Sequence, residues 1–315
     1  MTSKAKFRLG TRGSPLALTQ AREVRRRLGE AHGALAEEDA VEIVVIKTTG
    51  DRVQDRALAE IGGKGLFTKE IEEALIAGEI DAAVHSMKDV PTWLPDGLVV
   101  DHVLPREDPR DAFFSPHGDS LAALPADALV GTSSLRRQAQ VLIARPDLRV
   151  EPIRGNVDTR LRKLAEGRFD ATLLAVAGLK RLGLADKITA ALSTEEMLPA
   201  VAQGAIGLEM RADDDRTRGL LDAISCIDSG RRVVAERAFL TIMEGSCRTP
   251  IAGLAELGDN DSLRLRGLVA LPDGSAVYKA DIMGSAKDAA GLGEALGQEL
   301  RKAAGPDFHD AVTGH

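Results

Sequence analysis

ALIAGEIDAAVHSMK at residues 74–88 and KLAEGRFDATLLAVAG at residues 163–178 share one grammar. Each reads as the end of a helix, a glycine that stops it (Gly78, Gly167), an acidic residue, and a short apolar strand opening into a loop of small residues. Glycine ends helices because it enters the left-handed region without a steric cost. A helix followed directly by an apolar strand, more than once, predicts an α/β chain with a mostly parallel sheet. The two stretches fit two similar lobes facing a cleft. A chance likeness between two βα units would look the same.

Working outward, KFRLGTRGSPLALTQAREVRRRL (6–28) reads as strand, turn and helix, with Ser14 as N-cap and Pro15 at the first helical position. AVEIVVIKTTGD (40–51) reads as a buried strand ending in a glycine turn. GGKGLFTKEIEEAL (62–75) predicts a glycine-rich loop, then a helix with Phe67, Ile71 and Leu75 on one face. After REDPRDAFF (106–114) the pattern restarts: ALVGTSSLRRQAQVLIA (128–144) is strand, serine-rich turn and helix. LRVEPIRGNVDTRLRKLAEG (148–167) repeats it, with Asn156 as cap. From about Asp228 the texture changes. An amphipathic helix (230–243) precedes two short strands, LRLRGLVAL (263–271) and AVYKADIMG (276–284), joined through the hairpin signal PDGS, and a last helix at 289–303. This predicts a small α+β unit of its own.

The 315-residue chain is 44% hydrophobic and 28% charged, enough for several cores. A net charge of -7 and only 3% aromatic residues argue against nucleic-acid binding. Yet arginines gather at SSLRRQ (133–138), IRGNVDTRLRK (153–163) and GLKRLG (178–183), which suits a small anion better than a polyanion. The two cysteines, Cys226 and Cys247, form neither a disulfide framework nor a zinc pattern. The six histidines lack metal spacing, so no metal is expected. Apolar runs such as VEIVVI (41–46) are too short to cross a bilayer, and the basic start lacks the apolar stretch of a secretory signal. The expectation is a cytoplasmic protein with no membrane partner.

HSMKDVP (85–91) leaves Lys88 and Asp89 in a loop at the carboxyl end of a strand, where open α/β sheets bind ligands. The two read either as a solvated surface pair, or as Lys88 holding an anion while Asp89 steadies a cationic or N–H-bearing centre. Thr132, Ser133 and Ser134 precede a helix whose first N–H groups attract anions. Arg136 and Arg137 fall in its first turn, where the helix dipole opposes each positive charge by about 0.3–1 kcal/mol. Either the helix tolerates that penalty, or the arginines face a carboxylate or phosphate. Arg154 and Arg160 flank the next helix start in the same manner, and Arg12 and Ser14 the first. GGKGLFTKE lacks the Walker spacing and reads as a glycine-rich lid.

Cys247 sits among Gly245, Ser246, Arg248 and Thr249, which is not core company. Arg248 favours its thiolate, and no histidine is placed to make it a nucleophile that turns over. A permanent attachment point is the reading that fits. Two other classes stand beside it. A two-lobed binding module for a small anion has no use for Cys247, and a cysteine hydrolase would require a nearby histidine.

In order along the chain, TRGSPLALTQ (11–20), GGKGLFTKEIEEAL (62–75), HSMKDVPT (85–92), GTSSLRRQAQ (131–140), IRGNVDTRL (153–161), LPAVAQGAIGLE (198–209) and EGSCRTPIAG (244–253) resemble the porphobilinogen deaminases, also called hydroxymethylbilane synthases. The resemblance covers nearly the whole chain. It implies two periplasmic-binding-protein-like lobes with mixed, mostly parallel sheets around a cleft, plus a small C-terminal α+β domain. The implied division is 1–104 with 200–222, then 105–199, then 223–315. It implies a monomer that condenses four molecules of porphobilinogen head to tail, each losing ammonia, onto a dipyrromethane joined to Cys247 by a thioether, and then hydrolyses the product to 1-hydroxymethylbilane. By the same resemblance Asp89 is the catalytic carboxylate. Ser86, Lys88, Thr132, Ser133, Ser134, Arg136, Arg137 and Arg160 bind the cofactor. Arg12, Ser14, Gln20, Arg154, Arg181 and Gln203 bind substrate, with Phe67 on the lid.

Overall fold

The first helix begins where its cap requires. Ser14 accepts a hydrogen bond from the Ala17 N–H at 3.3 Å, and Pro15, which has no N–H to leave unpaired, opens the helix. The computed structural model describes residues 6–37, 39–52, 65–245, 249–306 and 308. Cys247, with Ser246 and Arg248, lies outside them, as do Gly62, Gly63 and Lys64 of the glycine-rich loop.

The first compact unit runs through Arg106 and takes up again at Ala205–Gly230. Its elements are β1 (Phe7–Arg12), α1 (Pro15–Ala31), β2 (Val41–Ile46), the single turn α2 (Thr49–Arg52), α3 (Lys69–Ile76), β3 (Ala82–Ser86) and β4 (Leu98–Val103). A later strand, β10 (Ile206–Arg211), enters the same sheet, whose order is β2-β1-β3-β10-β4. β1 pairs in parallel with β2 and β3, while β10 runs antiparallel to both β3 and β4. One face packs Phe7, Leu9, Val24, Leu28, Leu208 and Met210 under α1. The other packs Ile71, Leu75, Ile80 and Ala83 with α3. Each large side chain withdrawn from water here contributes about 1.5–3 kcal/mol.

The second unit holds Glu107–Gly204 and, from Arg231 on, the C-terminal part. Its first sheet takes β5 (Asp111–Phe114), β6 (Leu129–Gly131), β7 (Arg149–Glu151), β8 (Ala171–Ala175) and β9 (Ala190–Ala191), in the order β7-β6-β8-β5-β9. Helices α4 (Leu135–Ala144), α5 (Val157–Ala165) and α6 (Val176–Arg181) follow its parallel strands. β5 is antiparallel to β8 and β9. The order and directions repeat those of the first sheet, with β3 and β8 in equivalent places, so the likeness between 74–88 and 163–178 is one of architecture. In each sheet the antiparallel strand is the first that the chain lays down after changing unit.

Helix α7 (Asp215–Asp222) closes the first unit, and α8 (Ile227–Ile242) leads on to the C-terminal part. There β11 (Ile251–Leu257), β12 (Ser262–Ala270) and β13 (Val277–Ser285) form an antiparallel sheet against α9 (Ala289–Ala304), the last two strands joined through the predicted hairpin turn. Ala139 of α4 packs with Leu198, Ala252, Leu254 and Leu268, so the second lobe and this sheet share a core.

Two expectations need correction. β2 is an edge strand and only partly buried, with Val45 51% exposed, because its one sheet neighbour is β1. Phe67 is not on the helix with Ile71 and Leu75. It lies in the turn before α3, which begins at Lys69.

Candidate active site

Strands β1 and β3 are parallel neighbours, so Arg12 and Ser86 emerge together at the carboxyl end of the first sheet. A recess open to solvent, with about 420 Å³ of empty space, lies there. It is lined by Arg12, Ser14, Gln20, Phe67, Ser86 and Asp89, among others. Gln20 Nε2 donates to Ser86 Oγ at 2.8 Å, tying α1 to the end of β3. The Arg12 guanidinium carbon sits 4.1 Å from the centre of the Phe67 ring, a cation–π contact that holds the ring over the site. Gly50 makes room for this, since a Cβ there would overlap Phe67. Lys88 is exposed beside Asp89 on the turn after β3.

The second lobe presents its own carboxyl end. Ser133 Oγ donates to the Ile153 carbonyl at 2.8 Å, Thr132 Oγ1 accepts from the Ser134 N–H at 3.2 Å, and Ser134 caps α4. Asn156 caps α5 by accepting from the Thr159 N–H at 3.0 Å. Arg136 and Arg137, both buried, meet Asp111, which is 0% exposed. Arg136 Nη1 is 2.7 Å from Oδ2, and Arg137 donates to Oδ1 through Nη2 at 2.7 Å and Nε at 3.2 Å. Burial alone would push the Asp111 carboxyl up. The guanidiniums of Arg136 and Arg137 outweigh that and hold it well below the usual carboxylate range. Arg137 Nη1 donates to the Leu173 carbonyl at 2.8 Å, so all three of its nitrogens are engaged inside the lobe.

Gln203 and Arg181, expected at the substrate, hold the segment about to leave this unit. Gln203 Nε2 donates to Asp111 Oδ1 at 2.9 Å and to the Pro109 carbonyl at 2.7 Å, and Arg181 Nη2 to the Gly204 carbonyl at 2.9 Å. Arg160 differs. Its Nε donates to the Gly155 carbonyl at 2.9 Å, and among the described residues no carboxylate pairs with it. Burial first, then the nearby charges of Arg137 and Arg154, lower its guanidinium to about 10. Arg136 Nε is also buried without a hydrogen-bond partner. A carboxylate would both accept from the Arg136 Nε–H and offset the charge of Arg160, so the two fit an acidic group. Sequence reasoning missed Asp111. The available signal was an aspartate opening the otherwise apolar strand DAFF, a charge that burial obliges to find cations.

These observations define a class: a two-lobed α/β protein with a small polar recess around an aspartate in one lobe and under-neutralised arginines in the other. The chain belongs to the porphobilinogen deaminase family, enzymes of tetrapyrrole biosynthesis. The family model described as "Porphobilinogen deaminase, dipyromethane cofactor binding domain" matches residues 7–219, and the model of the family's C-terminal domain matches residues 231–302. The chain is 61% identical over 304 residues to a porphobilinogen deaminase of Paracoccus denitrificans, covering 96% of each chain. It is 56% identical over 306 residues to one from Nitrobacter winogradskyi, covering 97% of this chain and 96% of that one. With a chloroplastic porphobilinogen deaminase of Oryza sativa subsp. japonica the identity is 55% over 314 residues, covering 97% and 86%. Among solved structures, the second substrate binding domain of a putative amino acid ABC transporter from Streptococcus pneumoniae aligns at a TM-score of 0.42 and 11% identity, over 70% of this chain and 92% of that one.

Proposed function

We propose that this enzyme joins four porphobilinogen molecules head to tail, releasing ammonia at each step, on a dipyrromethane carried by Cys247, and then releases 1-hydroxymethylbilane by hydrolysis. The observation that carries the reading is Arg160, crowded by Arg137 and Arg154 with no carboxylate paired to it among the described residues. Porphobilinogen bears an acetate and a propionate, so a growing oligopyrrole is a row of carboxylates suited to such guanidiniums. When bound, the dipyrromethane supplies the nucleophilic pyrrole carbon to which the first substrate is joined.

In this reading Arg136, Arg160 and the Thr132–Ser134 turn hold cofactor carboxylates, with Lys88 and Ser86 in the first lobe. Arg137 acts with them through Asp111. Arg12, Ser14 and Gln20 bind substrate in the recess, and Arg154, Arg181 and Gln203 do so in the second lobe. Asp89 steadies the positive charge that develops as the amine departs, and Phe67 covers the recess. The division into 1–104 with 200–222, 105–199 and 223–315, a monomeric state and a cytoplasmic location belong to the same proposal.

Intact-protein mass spectrometry tests it. The purified enzyme is expected to carry the added mass of a dipyrromethane, resistant to thiol reductants because a thioether is not a disulfide, and to colour with an aldehyde reagent for pyrroles. Cys247→Ala should lose the adduct while the lobes stay folded. An active preparation of unmodified mass would refute the reading.

A further inference from the structure

Beneath the recess, β3 ends in a buried acid–imidazole cluster that none of the roles above uses. His85 is 5% exposed, and its Nε2 lies 2.8 Å from Oε2 of Glu209, which is 0% exposed. The strand register brings them together: His85 opposes Gly207 on β10, and Glu209 is two residues further along the same face. The third member is Glu72 of α3, buried, with Oε1 lacking a hydrogen-bond partner. Burial first of all pushes its carboxyl up, and Glu209 adds to this against the opposing effects of Thr68 and His85. His85 is also one of the residues lining the recess with Asp89, Arg12 and Gln20.

The proposed condensation has a proton to move. The aminomethyl group of porphobilinogen arrives as an ammonium. Its C–N bond breaks with the electron pair going to nitrogen, so ammonia leaves and the methylene carbon becomes positive. The α-carbon of the acceptor pyrrole provides the electron pair of the new C–C bond. Its C–H bond must then break, the pair of that bond restoring the aromatic ring, and the proton released converts ammonia to ammonium. Among the groups around the recess, Arg12 does not release a proton, Gln20 and Ser86 do not titrate near neutrality, and Asp89 is needed as an anion. An imidazole can accept a proton at one ring nitrogen while the other holds its N–H in a hydrogen bond.

Building on the condensation reading, we propose that His85, oriented by Glu209 with Glu72 behind it, is the proton carrier of each coupling. Glu209 holds Nε2–H, which leaves Nδ1 as the nitrogen that takes the pyrrole proton and returns it to the departing ammonia. The division of labour is that of a carboxylate-held imidazole in a catalytic triad. The charged groups facing His85 are Glu209 from β10, Glu72 from α3, and Asp89 and Arg12 around the recess.

His85→Gln keeps an N–H for Glu209 but carries no proton. Rates are measured per molecule bearing the dipyrromethane mass. Absence of adduct from the wild-type enzyme would then count against the proposed function, whereas the rate of the loaded variant reports on His85. The expected result is a fall in kcat of about 10²–10⁴-fold, little change in KM, and loss of the acidic limb of the kcat–pH profile. Glu209→Gln preserves the hydrogen bond without the charge, so the imidazolium is less favoured and the limb should move to lower pH. A loaded His85→Gln enzyme with wild-type kcat, or with reduced kcat on an unchanged pH profile, overturns the proposal. If that variant does not fold, an unmoved limb in Glu209→Gln overturns it equally.

Discussion

Asp89, itself exposed, stands on a turn in which Ser86, Met87 and Val90 are held by hydrogen bonds. Ser86 is held by Gln20, the Met87 N–H donates to the Ala205 carbonyl at 3.0 Å, and the Val90 N–H donates to the Met87 carbonyl at 3.2 Å. A carboxylate steadies a developing cation best when it need not move during the reaction. Asp89→Ala should therefore keep the adduct and still bind substrate, while kcat falls by about 10²–10³-fold, the scale of losing one preorganised electrostatic group. Single-turnover release of ammonia measures this, and a wild-type rate would remove the assigned role. At this scale the sequence was most legible where the physics is local. Ser14 and Asn156 were read as caps, and each accepts from the N–H three residues on. Arg137 was not legible in the same way. Its partner Asp111 is 26 residues away, and no spacing rule connects them.

Among the elements, β3 and β10 carry the site together, and a glycine sets how closely they can do so. At Gly207 a Cβ would fall on the Sδ of Met87, the buried residue between Ser86 and Lys88. Gly207→Ala should push Met87 aside, costing about 1–3 kcal/mol as overpacking does, and should shift the turn that bears Asp89. Thermal unfolding and kcat should fall together. A variant with full activity and stability would show that Met87 has room to move. The two misread elements have the same physical origin. Apolar content marked VEIVVI as a strand but not its place at the sheet edge, and apolar spacing placed Phe67 on α3 although residues 65–68, opened by Gly65 with φ of 78°, form a turn ahead of the helix. Position in a sheet and the start of a helix depend on partners that periodicity does not name.

Over the whole chain, the decisive feature is that the path leaves the first unit near Arg106 and returns at Ala205. Helix and strand periodicity predicted repeated βα units. The return itself came only through the resemblance, because a strand's partner is non-local and β10 looks like any other apolar run. Within the second unit both passages are anchored to one carboxylate: Asp111 lies just after the outward passage, and Gln203 and Gly204 lie just before the return. Asp111→Asn would leave Arg136 and Arg137 buried without their counter-charge, so a loss of about 3–5 kcal/mol is expected. The pH dependence has a definite sign. The folded carboxyl is held below its unfolded value, so its stabilisation is fully present above about pH 4 and is lost as pH falls through the folded pKa. Denaturant unfolding of both proteins should give a constant difference from neutrality down to about pH 4, narrowing below it by up to about 1.4 kcal/mol per pH unit. A difference that stays constant well below pH 4 would mean that Asp111 does not anchor these passages as a charged group.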